Sequence, residues 1–126
     1  MSDEIVRVFE RLPALFALSE PLVRRSARAR FVLLLEAGMD KRRLKLEPGA
    51  LTVQTADGPM DGWDVALRAG PDAWIDHWSP LPPPSASDIL GMQRHGRMKI
   101  EGDFLPLMQH LQLVKDILAL PRGSVS

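Results

Sequence analysis

The segment from Gly96 to Met108 constrains the fold of this chain most, because an alternating stretch changes abruptly into an apolar helical one. Met98 and Ile100 alternate with charged residues, which is the two-residue period of a half-buried strand. Gly102 permits a sharp turn, and the carboxylate of Asp103 can accept hydrogen bonds from the first free amides of a helix. The sequence therefore predicts a strand that leads directly into a helix.

The helix predicted after Gly102 carries a broad apolar surface. One apolar stripe at helical spacing is widened by further apolar side chains on both sides. The stripe contains Phe104, Leu107, Met108, Leu111, Val114 and Leu118, and it is widened by Leu113, Ile117 and Leu120. Packing against one sheet requires a narrower stripe, so we expect this helix to contact a sheet on one side and a cavity or a partner on the other.

The composition is that of one globular domain. The chain has 126 residues, of which 45% are hydrophobic and 25% charged, enough for one core and too few for two ordinary domains. Its apolar stretches, such as 31–35, are far shorter than the roughly 20 residues that cross a bilayer. The acidic start over residues 1–4 differs from the basic start of a secretory signal, so we expect a cytoplasmic protein. The absence of cysteine excludes disulfides and thiolate chemistry.

Charge is unevenly distributed, although the net charge is +0. Residues 1–46 carry ten Lys and Arg against six Asp and Glu, and the remainder carries six against ten. A basic face attracts anionic lipid or phosphate, so Arg24, Arg25, Arg28 and Arg30 are candidates for docking to a membrane surface or for holding a head group. The alternative is a solvated face that the acidic half balances. Nucleic acid is not an expected partner, because the chain has no tyrosine and only Phe31 lies near this cluster to stack bases.

Periodicity divides the chain into three segments. Residues 1–26 form an amphipathic helical segment, which Pro13 is expected to end or kink. Residues 27–121 form the main domain, and residues 122–126 a frayed tail. The N-terminal segment packs on its own domain or serves as a lid, a dimer arm or a membrane-touching segment.

Within the main domain, the alternation predicts a meander of four strands between residues 27 and 68. Pro48 and Gly49 match a type II turn, and the loop 57–62 precedes the fourth strand. Pro71 starts a helix, and Ser85 with Asp88 resembles a capping box for a second one. The predicted order is a helix, four strands, two short helices, a fifth strand and a last long helix.

Two stretches, together with this order, resemble the sterol carrier protein type two family of lipid-binding domains. The first is the strand and helix start over residues 64–74, where the family commonly has Ser or Thr before the proline and this chain has Gly70. The second lies within residues 92–103 and contains Gly-Arg-Met-Lys-Ile-Glu-Gly-Asp. The resemblance runs from about Arg28 to Leu120, so it covers nearly the whole domain, and the segment before Arg28 lies outside it.

The resemblance implies an α+β fold in which a curved, five-stranded, mostly antiparallel sheet is covered by helices. It also implies a hydrophobic tunnel for a sterol, a fatty acyl chain, an acyl-coenzyme A or an isoprenoid, with no metal, no cofactor and usually no chemistry. The proline run 82–84 lies between the two short helices, close to where family members admit ligand. The shape of the ligand and its access route therefore stay open.

The candidate tunnel lining combines methionines with large apolar residues near the last strand and helix. Methionine suits such a wall because its side chain is unbranched and polarizable. The candidates are Trp74, Trp78, Met92, Met98, Phe104, Leu107, Met108 and Leu111. The alternative is that each packs in a solid core. Each buried CH₂ is worth roughly 0.8 kcal/mol, so a tail of about sixteen carbons gains on the order of 10 kcal/mol before ordering costs.

No acid–base or metal motif is complete in the sequence. Asp72 and Asp76 are four residues apart, but His77 does not share their helix face. A helical zinc pair, a nucleophile elbow and a phosphate loop are all missing. The leading hypothesis is therefore a non-enzymatic lipid carrier or presenter. One alternative is an interaction or dimerisation module with a filled core, which partners an enzyme of lipid or quinone metabolism. The other is an enzyme or thioester-handling factor that uses His77 or His110.

Overall fold

A computed structural model of the chain describes residues 2–56 and 62–123. The helices are α1 (Ser2–Leu18), α2 (Glu20–Arg25), α3 (Pro71–His77), α4 (Ile89–Arg94), α5 (Phe104–Gln109) and α6 (Leu111–Leu118). The strands are β1 (Phe31–Ala37), β2 (Asp40–Glu47), β3 (Ala50–Thr55), β4 (Val65–Ala69) and β5 (Met98–Gly102). The predicted loop 57–62 lies outside the described residues except for Gly62, and so do residues 124–126 of the predicted tail.

The strands form one five-stranded sheet in the order β3-β2-β1-β4-β5. β1, β2 and β3 are antiparallel neighbours, as the meander predicts. The meander is wrong at the fourth strand, since β4 pairs with β1 in parallel and not with β3. The connection after β3 returns the chain to the starting end of β1, and β5 then pairs antiparallel with β4. The sheet is therefore mixed and mostly antiparallel, and the fold is α+β.

The helices cover one face of this sheet. Apolar side chains of all five strands point to that face and share one core with the helices. They include Phe31, Leu33, Leu35, Leu44, Leu46, Leu51, Val65, Leu67, Met98 and Ile100. Of the two alternatives predicted for Pro13, an end of the helix is wrong, because α1 continues to Leu18; a kink there stays a prediction. Leu12 and Phe16, on either side of the proline, are fully buried, and their packing offsets the cost of an interior proline.

Charged side chains cover the other face in the described part of the chain. Arg68 donates from Nε to Glu101 at 2.6 Å and from Nη1 to Glu36, and its guanidinium lies 5.6 Å from the ring centre of Trp63. Burial lowers the pKa of Arg68, but the hydrogen bonds with Glu101 and Glu36 outweigh it and raise the pKa above its ordinary value. Leu34, which strand alternation places on this same face, is also buried.

The last helix is broken, where the sequence predicts a continuous one. Asp103 caps α5 as predicted, accepting a hydrogen bond from the amide of Leu105 at 3.0 Å. His110 then leaves the helical conformation between α5 and α6, and its ring stacks on Phe31 with the ring centres 5.7 Å apart. This break separates the apolar stripe into two surfaces. The stripe of α6 is buried, and much of α5 faces solvent.

The cap of α4 also differs from the prediction. Ser85 lies in a short 3₁₀ turn over residues 84–86, and the capping residue is Asp88 itself. Its carboxylate accepts from the amide of Gly91 at 2.7 Å and lies 3.2 Å from the ammonium of Lys115. The proline run before Ser85 sets the start of this turn, so the cap falls three residues later.

Candidate functional site

Three aromatic side chains meet between the sheet and the helices. The ring of Phe9 on α1 lies edge-on to Trp74 at 5.2 Å and to Trp78 at 5.8 Å between ring centres. The two indoles, of Trp74 in the middle of α3 and of Trp78 directly after it, are 5.6 Å apart between ring centres. Each indole N–H donates to a backbone carbonyl at 2.9 Å, that of Trp74 to Glu36 and that of Trp78 to Leu118. The hydrogen bonds fix the tryptophans, whereas Phe9 is held by apolar contact.

The structure brings most of the predicted lining residues into this layer. Trp74, Trp78, Met92 and Leu107 are fully buried, Met98 is nearly so, and Leu111 is half-buried against the same core. Their role as a ligand lining stays a prediction.

Phe104 and Met108 do not join them in the buried layer. These residues are 40% and 46% exposed on α5, beside Leu105 at 63%. Both residues lie before the break at His110, whereas Leu113, Val114, Ile117 and Leu118 after it are buried.

Sequence reasoning missed the contribution of α1 to this layer. Its buried side chains complete the wall opposite the sheet; they are Ile5, Val8, Phe9, Leu12 and Phe16. The amphipathic spacing of these residues was the available signal. It identifies a face that must be covered, but it does not name the surface that covers it.

His77 is the buried histidine of this region, with 1% of its surface exposed. Its Nδ1 lies 2.8 Å from the carbonyl oxygen of Ala86 and 3.2 Å from Nη2 of Arg122, and its Nε2 has no hydrogen-bond partner among the described residues. Burial lowers the pKa of His77; the Ala86 carbonyl opposes this shift, and the nearby Arg122 adds to it. The described partners are thus backbone and guanidinium groups, which hold a neutral ring in place.

Arg122, which the sequence places in a frayed tail, is anchored. It donates from Nε to the carbonyl of His77 at 2.9 Å and from Nη2 to that of Ser87 at 2.9 Å. Gly123 donates from its amide to the carbonyl of Trp78 at 2.8 Å. The end of the described chain therefore ties α3 to the segment before α4.

The predicted docking arginines are largely paired. Arg24 lies 3.3 Å from Glu20, Arg25 lies 2.8 Å from Asp116, and Arg30 lies 3.1 Å from Glu47. Arg28 is exposed and forms no ion pair with the described residues. The three ion pairs connect Arg24, Arg25 and Arg30 to residues of three different elements, and the role of all four arginines in docking stays a prediction.

An open cleft of about 380 Å³ lies where β1 and β4 end and β5 begins. It is lined by Glu36, Gly38, Arg68, Ala69, Gly70, Gly96, Arg97, Met98 and Lys99. Met98 belongs both to this lining and to the buried layer. The cleft could not be predicted from the sequence, because its lining comes from three separate segments that only the strand pairing brings together.

Two searches of residues 2–56 and 62–123 were negative. No group of three His, Asp or Glu side chains is arranged to hold a metal ion. None of the helices in these ranges has both the length and the apolar character that crossing a bilayer requires.

Comparison with known proteins gives matches by structure. No family model matches the chain, and no curated protein matches it by sequence. A crystal structure of sterol carrier protein 2 aligns with a TM-score of 0.64 and 17% identity, covering 93% of this chain and 97% of that one. A ubiquinone synthesis protein, UbiJ-SCP2, aligns with a TM-score of 0.62 and 15% identity, covering 95% and 97%. The inverting sec-alkylsulfatase Pisa1 from Pseudomonas sp. aligns at 0.52 and 18% identity, over 72% of this chain and 14% of its own.

The alignments with sterol carrier protein 2 and UbiJ-SCP2 cover the chain almost end to end. At 95% coverage only about six of the 126 residues are left out, so the match extends into the segment 1–26, where the sequence resemblance was not seen. Identities below 20% show a shared fold and no more than that. The chain therefore has the α+β fold of sterol carrier protein type two domains over most of its length.

Proposed function

We propose that this protein binds a hydrophobic lipid between the sheet and its helices and carries or presents it, without chemistry of its own. The ligand is a sterol, a fatty acyl chain, an acyl-coenzyme A or an isoprenoid. The observation that carries the proposal is the contact of Phe9 with Trp74 and Trp78, at the centre of a fold shared with sterol carrier protein 2. This is the largest concentration of apolar aromatic surface in the described chain.

A lipid enters this layer by displacing part of it, because Trp74, Trp78 and Met92 are fully buried. The helix α1 is the wall best suited to move. Its described side-chain contacts with other elements are apolar, apart from one ion pair between Glu10 and Arg42 at 3.9 Å. Apolar contacts are non-directional, so a hydrocarbon chain can replace them at small cost, whereas a buried hydrogen bond cannot be replaced in this way.

The exposed side of α5 supplies a contact for loading and release. Phe104, Leu105 and Met108 form one exposed apolar face on this helix. A face of this kind suits the surface of a membrane or of an enzyme that consumes the lipid. The arginines of residues 24–30 would add attraction to anionic lipid.

The proposal assigns binding alone, and no catalytic role, to the histidines. His77 is held by backbone carbonyls and Arg122, and His110 stacks on Phe31. The match to a short part of the alkylsulfatase indicates that a domain of this fold also occurs within an enzyme. Loss of a measured enzymatic activity in a folded His77→Ala or His110→Ala variant would contradict this assignment of binding alone. The cytoplasmic location stays a prediction.

Two measurements test the lipid proposal. Protein purified without detergent is extracted and analysed by mass spectrometry for a co-purified lipid. The delipidated protein is then titrated with a fluorescent fatty acid, and the bound probe is displaced with cholesterol or a neutral long-chain ester. We expect saturation at about one probe per chain. Absence of both a co-purified lipid and probe uptake would contradict the proposal.

The alternative is an interaction module with a filled core. It is favoured by the complete burial of Trp74, Trp78, Met92 and Leu107, and by the apolar face of α5. UbiJ-SCP2, which shares the fold, is described as a ubiquinone synthesis protein, so an enzyme of quinone or lipid metabolism is the candidate partner. Under this alternative the protein takes up no probe and associates through α5. Sedimentation equilibrium tests this alternative. A homodimer in the wild type that the substitution Leu105→Glu dissociates would support the interaction module.

A further inference from the structure

The cleft described above has the size of a small-molecule site. Its volume of about 380 Å³ falls within the range of roughly 300–1,000 Å³ that ligand pockets occupy. Three of its lining residues are glycines, Gly38, Gly70 and Gly96, which leave backbone bordering the space directly. Two of these, Gly38 and Gly96, have positive φ angles of 63° and 73°, a conformation that other residues rarely adopt. No side chain therefore enters the cleft from these three glycine positions.

The charged part of the lining is predominantly basic. Arg68, Arg97 and Lys99 line the cleft, with Glu36 as the carboxylate among the lining residues. The guanidinium groups are held in place by hydrogen bonds: Arg68 donates to Glu101 at 2.6 Å and to Glu36, which itself lines the cleft, and Arg97 donates to Asp76 at 2.8 Å and to Ser85 at 3.2 Å. A guanidinium has five N–H donors, so these bonds leave donors for a ligand while they fix the orientation of the group.

Lys99 is the most available cation of the cleft. Its side chain is 74% exposed, and its ammonium lies 3.7 Å from Glu101, beyond hydrogen-bond distance. An ammonium on a flexible stem can turn toward an anion with little cost to the fold. A phosphate in the cleft would therefore meet two oriented guanidinium groups and one mobile ammonium.

The cleft also borders the buried layer. Met98 lines it and belongs to the core, and Glu36, which lines it, accepts the indole hydrogen bond of Trp74 through its carbonyl at 2.9 Å. Arg68 and Lys99 stand on the face of the sheet away from the helices, whereas Arg97 pairs with Asp76 of α3. An amphiphile with its tail beside Trp74 would reach these groups around the ends of the strands, where the cleft lies. We propose that the cleft binds a phosphate or diphosphate group, as the head group of the lipid whose tail occupies the layer between the sheet and the helices. This inference rests on the proposed function.

The test compares two lysine variants. Lys99→Gln removes the ammonium of the cleft, and Lys45→Gln is the matched control, since Lys45 lies 3.8 Å from a glutamate two residues later on the same face of the sheet and is 44% exposed. Both variants lose one charge and one weak ion pair. The probes are inorganic pyrophosphate, oleoyl lysophosphatidic acid and mono-oleoylglycerol, which has the same chain without phosphate, each titrated calorimetrically at low and high salt.

We expect Lys99→Gln to weaken lysophosphatidic acid binding by about 5–10-fold, the loss of one charge-assisted contact, and to leave mono-oleoylglycerol unchanged. Lys45→Gln should bind all three probes as the wild type does. If both variants lose affinity for lysophosphatidic acid equally, the attraction is unspecific and the inference is overturned. Equal affinity of the wild type for the phosphorylated and the neutral lipid would also overturn it, although uptake of both would leave the lipid proposal standing. A third outcome is that the protein binds pyrophosphate, that Lys99→Gln weakens this binding, and that neither lipid is taken up. This outcome would support the cleft as a site for a free phosphate compound and would contradict the lipid proposal.

Discussion

Replacing Phe9 tests whether α1 is part of the central layer. The side chain is fully buried and contacts two indoles edge-on, so Phe9→Ala removes a ring from the middle of the core. Deleting a buried phenylalanine costs about 3–5 kcal/mol, and two aromatic pairs place the value near the upper end. A domain of this size is stable by about 5–15 kcal/mol, so the variant should fold but lose a large part of its stability.

The assay is urea denaturation followed by circular dichroism. With a slope of about 2 kcal/mol/M, the loss moves the unfolding midpoint down by about 2 M. The matched control is Phe104→Ala, which removes the same ring from a side chain that is 40% exposed and should cost about 1 kcal/mol or less. If Phe9→Ala costs no more than the control, α1 does not pack against the tryptophans as described, and the reasoning about this layer is wrong.

Three further predictions concern stability. Burial lowers the pKa of His77 in the folded protein, so its imidazole takes up a proton more readily in the unfolded chain. The contribution of His77 to the free energy of unfolding should therefore be complete above the pKa of the unfolded chain, about 6.5, and should fall as the pH drops below that pKa. Between pH 7 and pH 5, the free energy of unfolding should fall less in His77→Gln than in the wild type. Equal falls would show that His77 is not the source of the pH dependence. Gly102→Ala should cost about 2–4 kcal/mol, because φ is 106° and the new Cβ would lie 2.5 Å from the carbonyl oxygen of Asp64. The matched control is Gly49→Ala, where φ is 74° and the new Cβ would have no atom within 4 Å among the described residues; it should cost only about 1–2 kcal/mol in the same urea assay. Asp88→Ala removes the cap of α4 and should lower the unfolding free energy by about 1–2 kcal/mol, whereas a neutral effect would show that the cap is dispensable.

The sequence predicts the elements of this fold well where local chemistry decides them. The alternation of β5, the turn at Gly102 and the cap at Asp103 all follow from short-range rules, and the structure confirms each. The partner of β4 could not be predicted in this way. Periodicity shows which face of a strand is buried, but it does not say which strand lies beside it, so the parallel pairing with β1 appears only in three dimensions.

The site was predicted less completely because tertiary contacts decide it. The apolar stripe from Phe104 to Leu118 runs through His110 without interruption in the sequence, and the break there accompanies the stacking of His110 on Phe31, 79 positions earlier in the chain. Phe104 and Met108, before this break, are partly exposed to solvent. The cleft at Lys99 was missed because no single segment contains more than a few of its lining residues.

The central claim, that a lipid occupies the layer around Trp74 and Trp78, is tested most directly by fluorescence quenching. A Trp63→Phe variant leaves these two as the remaining tryptophans of the three in the chain. The delipidated variant is titrated with a brominated acyl chain, whose bromine quenches an indole only at close range, and with the unbrominated chain as the control. We expect the brominated chain alone to quench the tryptophan emission, with saturation at about one ligand per chain. Full emission in the presence of bound brominated chain would contradict it.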